Sequence, residues 1–342
     1  MWRKLSIFSL ILQFISTILL GVNGDPLVPC YFIFGDSLSD AGNNNNLKTN
    51  ANANYRPYGV DYLVNSRPTG RFTNGLTIVD VIAAHLKFKD NIAPFSKANA
   101  HQIIKGVNYA SGAAGIRPET GVHLGDRVSL GKQLYNHKTI ISQLDPLING
   151  SLREHLHSCL YTINIGSNDY INNYFMPEHY FSSRRYNPIQ YSEQLIAQYS
   201  RHIRTLYKNG ARKMAIFGVG NVGCVLAEVV RFRPETLCVE SMNTAVTLFN
   251  NRLDILVHKL NNELPGSQFV FVNAQAIEVG PQQGITILDK PCCTLREDFQ
   301  CKESSIPCNN RSSYFFWDGF HPTEAVNKVM GTMAFKALKH IL

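Results

Sequence analysis

Short, continuous apolar runs alternate along the chain with longer stretches in which apolar residues recur at three- and four-residue steps. The runs at 31–35, 160–165, 214–219 and 269–272 are rich in β-branched, aromatic and aliphatic residues and lack the polar alternation of a half-exposed strand. Runs of this kind are expected of strands covered on both faces. The stretches 76–86, 189–208, 240–264 and 323–340 read as helices; in the third, Val246, Phe249, Leu253, Leu256 and Leu260 fall on one face and predict a packed stripe. Such alternation predicts an α/β domain with a parallel sheet and crossover helices. Polar loops follow the first and second runs, at Gly35-Asp36-Ser37 and Gly166-Ser167-Asn168-Asp169. Both would lie beyond the carboxyl ends of strands, where open α/β sheets bind ligands.

The first 24 residues stand outside this pattern. Arg3 and Lys4 precede an apolar run over 5–20, and Val22-Asn23-Gly24 offers small residues for cleavage before Asp25. This reads as a signal peptide, removed to leave 25–342 as a single domain. A membrane anchor would need an apolar run of roughly 20 residues. No linker, charge block or repeat divides the remainder, and the 44% hydrophobic content of the full chain is ample for a sizeable core. Losing Arg3 and Lys4 lowers the formal charge from +8 to +6, with the other basic residues scattered. The absence of a basic stripe with interleaved aromatics argues against nucleic-acid binding, while a basic surface suits an anionic matrix such as a cell wall.

Eight cysteines in an exported chain point to disulfides, although their connectivity is not readable. The cluster Cys292, Cys293, Cys301 and Cys308 also admits a zinc reading, which the lack of paired C-x2-C knuckles and suitably spaced histidines disfavours. The sequons at Asn149 and Asn310 predict glycosylated surface positions.

A serine hydroxyl becomes a useful nucleophile only beside a base that a third group orients. Among the 11 histidines, His321 is set apart by Asp318 three residues upstream in FWDGFHP, close enough for the two to meet within one loop. Pro322 suits the first turn of the following helix, and Glu324 its positive end. Ser37 follows the first predicted strand in FGDSLSD; taken alone, a serine in that setting more often caps a turn than acts as a nucleophile. The context is not G-x-S-x-G, so a nucleophile elbow is not indicated. Ser39, Ser111 and Ser167 lie nearby without a matching context.

The segments FGDSLSDAGNNN (34–45), GVNYASGAAGI (106–116), NIGSND (164–169) and WDGFHP (317–322) together resemble the four ordered blocks of the plant GDSL esterases/lipases, a branch of the SGNH hydrolases. The resemblance implies a flavodoxin-like three-layer α/β/α sandwich with a central parallel sheet. It implies Ser37 as nucleophile, His321 as general base and acid, and Asp318 as the group that orients His321. An oxyanion hole is implied from the backbone N–H groups of Ser37 and Gly112 and the side chain of Asn168. Gly70-Arg71-Phe72-Thr73-Asn74-Gly75 resembles a further recurrent segment, with Arg71 in a structural role. Three departures are visible: Ala113 stands where a second glycine is usual, Asn221 where proline is usual, and the stretch 293–308 looks shortened.

The expected activity is hydrolysis of an ester, lipid or acylated polysaccharide by a secreted enzyme, read as a monomer in preference to an oligomer, that needs neither metal nor organic cofactor. The alternatives are an acyltransferase that passes the acyl group to another hydroxyl, and a catalytically silent glycan-binding relative. A single histidine base predicts that hydrolysis falls on acidification through one protonation. A rate profile flat from mildly acidic to alkaline pH would remove His321 from that role.

Overall fold

A computed structural model describes residues 25–62 and 67–342, so the expected signal peptide lies outside the described residues. The four apolar runs form one parallel sheet from β1 (Tyr31–Gly35), β2 (Leu160–Asn164), β3 (Lys213–Phe217) and β4 (Gln268–Val272), neighbours in that order. A further segment extends the sheet beyond β1. Tyr31 and Ile33 donate their N–H groups to the carbonyls of Lys105 and Val107, while Tyr109 and Ser111 donate to those of Ile33 and Gly35. Counted second in the chain, this segment gives the order 2-1-3-4-5 of flavodoxin-like sheets, whose switch point falls between β1 and β2.

The principal helices are α1 (Ile78–His85), α2 (Leu130–Leu144), α3 (Leu152–Ser158), α4 (Pro188–Lys208), α5 (Leu226–Phe232), α6 (Glu240–Glu263) and α7 (Glu324–Leu338). Strand side chains alternate between two faces. Phe32, Phe34, Tyr161, Ile163, Met214 and Ile216 join the stripes of α2, α4 and α6 in one core. Tyr31, Ile33, Leu160, Ala215 and Phe217 join α1 and α7 in the other. The result is the expected three-layer α/β/α sandwich.

Three of these helices, α2, α3 and α5, and the added edge segment are not evident in the apolar pattern. Helix α2 buries Leu130, Gln133, Leu134, His137, Ile140 and Leu144, and the two polar members interrupt its stripe. Gln133 compensates for its burial by accepting the Gly35 N–H (3.0 Å) and donating to the Gly35 carbonyl (2.8 Å). Helix α5 has only seven residues and an exposed outer side at Val230. Helix α7 starts at Glu324 with Thr323 as its N-cap, so Pro322 precedes the cap and does not occupy the first turn as expected.

The disulfides are Cys30–Cys159, Cys224–Cys238, Cys292–Cys308 and Cys293–Cys301. The first joins the residues immediately preceding β1 and β2. The last two are nested and fold 292–308 into a double loop between the paired strands β5 (Ile287–Pro291) and β6 (Tyr314–Phe316). With these sulfurs oxidised, the cluster offers no thiolate to zinc. Asn149 and Asn310 are both exposed. Among the described residues, no helix is long and apolar enough to cross a membrane.

Arg71 has a structural role that its surroundings explain. Its guanidinium makes a bidentate pair with Asp80 at 2.7 and 2.8 Å, both residues being buried. Asp80 also accepts the Thr77 N–H and hydroxyl at the start of α1. Burial alone would raise the Asp80 pKa, but the Arg71 charge and these hydrogen bonds outweigh it and hold the carboxyl below its ordinary value. Its contribution to stability is therefore present above the ordinary carboxylate range and lost as pH falls through the depressed value. Arg71→Met leaves the carboxylate buried without its counter-charge and is expected to destabilise the fold by about 3–5 kcal/mol; denaturant unfolding at neutral pH checks this, and a loss below about 1 kcal/mol would show the pair to be dispensable.

Candidate active site

Strand β1 ends at Gly35, whose approach to β2 is so close that a Cβ there would stand 2.6 Å from the Asn164 carbonyl oxygen. Gln133 and the Ser111 N–H fix the Gly35 peptide groups. The chain then turns through Asp36, whose Oδ1 accepts the Leu38 N–H at 3.1 Å. Ser37 is thereby presented at the carboxyl edge of the sheet. From the other direction, β6 delivers Trp317 and Asp318 to the same edge, and a Trp317 N–H bond to the His321 carbonyl (2.8 Å) closes the intervening loop.

Within that loop, Asp318 Oδ1 accepts the backbone N–H groups of Phe320 and His321, each at 2.8 Å. Its Oδ2 lies 2.8 Å from His321 Nδ1, and His321 Nε2 lies 2.8 Å from Ser37 Oγ. A carboxylate facing Nδ1 places the proton there, which leaves Nε2 as an acceptor for the serine hydroxyl. Asp318 is fully buried, and the Phe72 ring packs 5.0 Å from the imidazole. Thr73 and Asn74 brace the loop beyond, through the Pro322 carbonyl (2.9 Å) and the Glu324 N–H (2.8 Å). The recurrent segment around Arg71 thus supports His321 as well as α1.

The residues expected to form the oxyanion hole are placed less uniformly. The Ser37 N–H has no hydrogen-bond partner among the described residues. Asn168 donates one amide hydrogen to the Ala114 carbonyl (3.0 Å) and accepts from Asn172 (2.6 Å), so its second N–H is uncommitted. Gly112 departs from expectation, because its N–H donates to the buried Asp40 carboxylate at 2.9 Å. Glycine is required there by space, since a Cβ would come within 2.7 Å of the Phe72 ring. The left-handed position belongs to the next residue, Ala113, with φ of 63°. Ala113 lines the cavity beside Ser37, and its N–H has no partner among the described residues.

Three buried carboxyls surround the serine turn, and burial raises the pKa of each. Asp36, opposed by the Leu38 N–H, nearby His321 and its own backbone N–H, is still pushed up to about 7 by burial, and its Oδ2 has no partner among the described residues. Asp40 and Asp169, better supplied with backbone N–H donors, are each pushed up to about 6. Asp40 ties Gly42 and Asn43 to Gly112. Asp169 ties the strand-β2 loop to Ile116, Arg117 and Thr120. Of the neighbouring serines, Ser39 and Ser111 are buried in such ties, and Ser167 lines the cavity without a histidine partner.

Ser37, Asn168 and His321 open onto a cavity of about 750 Å³ walled largely by apolar side chains, including Leu38, Phe72, Ile165, Val219, Val222 and Phe320. This volume lies within the usual span of small-molecule sites. Asn221 also lines it; its φ of −74° is one that proline adopts, so the departure there leaves the turn unchanged. Sequence reasoning missed Gln133 and Tyr58, the latter donating to Asp318 Oδ2 at 2.6 Å. The only signal for Gln133 is its place in an otherwise apolar helical stripe.

Residues 31–332 match the family described as GDSL-like Lipase/Acylhydrolase. The chain is 42% identical over 344 residues to GDSL esterase/lipase At5g45670 of Arabidopsis thaliana, covering 97% of this chain and 94% of the relative. It is 44% identical to GDSL esterase/lipase At4g18970 of the same plant over 324 residues, covering 92% and 89% of the two chains. The corresponding figures for the Arabidopsis GDSL esterase/lipase At1g29670 are 44% over 320 residues, with 91% and 87% covered. Strand order, the four sequence blocks and these relatives agree, and the chain belongs to the GDSL-like lipase/acylhydrolase family.

Proposed function

We propose that this protein is a secreted carboxylic ester hydrolase that works through an acyl-enzyme on Ser37. The observation that carries this reading is the continuous Ser37–His321–Asp318 hydrogen-bond chain opening onto a large apolar cavity. His321 Nε2 takes the Ser37 proton as Oγ attacks the ester carbonyl, then returns it to the departing alcohol oxygen. Water, deprotonated by the same nitrogen, attacks the acyl-enzyme, and that proton passes to Ser37 Oγ as the acyl–oxygen bond breaks and the acid is released. Asp318 holds the ring and offsets the imidazolium charge. The disulfides suit an oxidising compartment and support export after removal of residues 1–24, and the exposed Asn149 and Asn310 sequons fit glycosylation on that route.

The tetrahedral oxyanion would be met by the Ser37 N–H, the free Asn168 amide hydrogen and the Ala113 N–H. Ala113 replaces Gly112 in this assignment because the Gly112 N–H already serves Asp40. A preorganised donor of this kind contributes roughly 3–4 kcal/mol. Exchanging the amide at residue 113 for an ester linkage removes that N–H, besides weakening the Gly112 carbonyl as an acceptor for Asn44, and is expected to lower kcat by about 10²–10³-fold, whereas Ala113→Gly keeps the donor, retains kcat and relieves a left-handed alanine that costs on the order of 1–2 kcal/mol. An unchanged kcat in the ester-linked protein would return the assignment to another donor.

The apolar walls favour an aliphatic acyl group over acetate. At about 0.8 kcal/mol per buried methylene, kcat/KM for a homologous ester series is expected to rise roughly four-fold per added carbon until the cavity is filled. A serine-directed organophosphonate is expected to label the wild type and not Ser37→Ala, which has no esterase activity. Failure to label Ser37, or full activity in Ser37→Ala, would end the hydrolase mechanism; a preference for acetyl over octanoyl esters would end the acyl-chain assignment alone.

A further inference from the structure

The nested disulfide loop reaches the catalytic carboxylate through a tyrosine that does not line the cavity. Tyr58 is fully buried, and its hydroxyl sits between two partners. It accepts the backbone N–H of Cys301 at 3.1 Å and donates to Asp318 Oδ2 at 2.6 Å. The first bond occupies an acceptor position, so the single hydroxyl hydrogen is directed at the carboxylate. Tyr55 grips the same cysteine from its other side, donating to the Cys301 carbonyl at 3.0 Å, and its ring stands perpendicular to that of Tyr58 with centroids 5.2 Å apart. Cys301 is bonded to Cys293, whose own N–H donates to the Trp317 carbonyl, one residue before Asp318. The connections form a closed circuit: Asp318, Tyr58, Cys301, Cys293, Trp317 and back to Asp318.

We propose that Tyr58 is a positioning residue for ester hydrolysis, its hydroxyl oriented by Cys301 and fixing the Asp318 carboxylate for His321, and that the Cys293–Cys301 disulfide holds this hydroxyl in place. The inference rests on the Ser37–His321–Asp318 reading above. Burial, reinforced by the neighbouring Asp318 charge, pushes the Tyr58 phenol well above its ordinary value, so it remains a donor throughout the working pH range. By taking part of the negative charge on Oδ2, Tyr58 weakens the hold of Asp318 on a protonated His321. Loss of the hydroxyl therefore strengthens that hold and moves the acidic fall in rate to higher pH. The other groups facing this assembly are Asp36, which acts electrostatically on His321, and Arg296 and Asp298, which act on Tyr55. Phe72 and Phe320 pack against the imidazole.

The test compares wild type and Tyr58→Phe in the intact, disulfide-bonded protein, with folding verified by circular dichroism. The expected result is a roughly 10-fold or greater fall in kcat with KM nearly unchanged, and an acidic limb of the kcat/KM profile displaced upward by about half a pH unit. In an Asp318→Asn background, the same substitution is expected to cost less than about two-fold, because the two residues act as one unit. Cys293→Ser/Cys301→Ser should reproduce the upward displacement. Equal losses with and without the Asp318 carboxylate, together with an unmoved acidic limb, would overturn the proposal. If Tyr58→Phe does not fold, 3-fluorotyrosine at position 58 preserves the shape and strengthens the donor; the acidic limb should then move down, and an unmoved limb overturns the proposal. Organophosphonate labelling separates the two levels: an unlabelled wild type removes the triad reading itself, whereas labelling of Tyr58→Phe at the wild-type rate removes only the role of Tyr58.

Discussion

A carboxylate removed from water has to be met by hydrogen-bond donors or a counter-charge, and the loops at the carboxyl edge of the sheet are organised around that requirement. Asp40 collects the N–H groups of Gly42, Asn43 and Gly112. Asp169 collects those of Ile116 and Arg117 with the Thr120 hydroxyl. Asp318 collects the N–H groups of Phe320 and His321 with the Tyr58 hydroxyl. Each carboxyl is fully buried and joins segments distant in sequence. A desolvation cost that would otherwise weaken the fold is thus used to set the spacing of loops that have little regular structure of their own. Asp36, with one backbone donor and an oxygen unpartnered among the described residues, is pushed up to about 7, against about 6 for Asp40 and Asp169.

The same arrangement explains what could be read from the sequence. Strands β1 to β4 are legible because both faces of the sheet are covered, which forces continuous apolar runs. Helices α4 and α6 are legible because their inward stripes are long and predominantly apolar. The edge segment beside β1 is harder to see, since Asn108 and Ser111 within it carry polar side chains that serve neighbouring loops. Helix α2 is obscured for a related reason, with Gln133 and His137 placed in the core to meet Gly35 and Tyr109. In each case a buried polar residue held by a tertiary hydrogen bond interrupts a periodicity that apolar packing would have kept.

Site residues divide along similar lines. Asp318 and His321 lie three residues apart, so their contact is local and visible as a spacing. Ser37 lies 284 residues from His321, and only its resemblance to a family block distinguished it from a turn serine. Tyr58 lies 260 residues from Asp318 and carries no local signature at all, since a tyrosine among turn residues is ordinary. Gly112 shows the opposite difficulty. Its identity as glycine was legible, but the reason is the close approach of Phe72 and Asn44, and the uncommitted N–H falls on Ala113. A residue type indicates that the backbone is constrained; the direction in which its N–H points depends on partners elsewhere, here Asp40.

The placement of the disulfides separates stabilising the fold from shaping the site. Cys30–Cys159 spans 129 residues and joins the starts of β1 and β2, at the end of the sheet away from Ser37. The other three span 14, 16 and 8 residues. In the chain-entropy account the benefit grows only logarithmically, from roughly 3 kcal/mol for a loop of about 15 residues to roughly 4.7 for about 100. Each short bridge therefore restricts the unfolded chain by roughly half to two-thirds as much as the long one. What distinguishes them is position: Cys224 and Cys238 line the cavity, and Cys301 directs Tyr58 toward Asp318. The double loop over 292–308 has no helix or strand to define its course, so the covalent bridges supply what backbone ladders supply elsewhere. Where the chemistry requires irregular backbone, crosslinks and buried carboxylates take over the role of secondary structure, and this division follows from the need to present side chains of widely separated residues on one sheet edge.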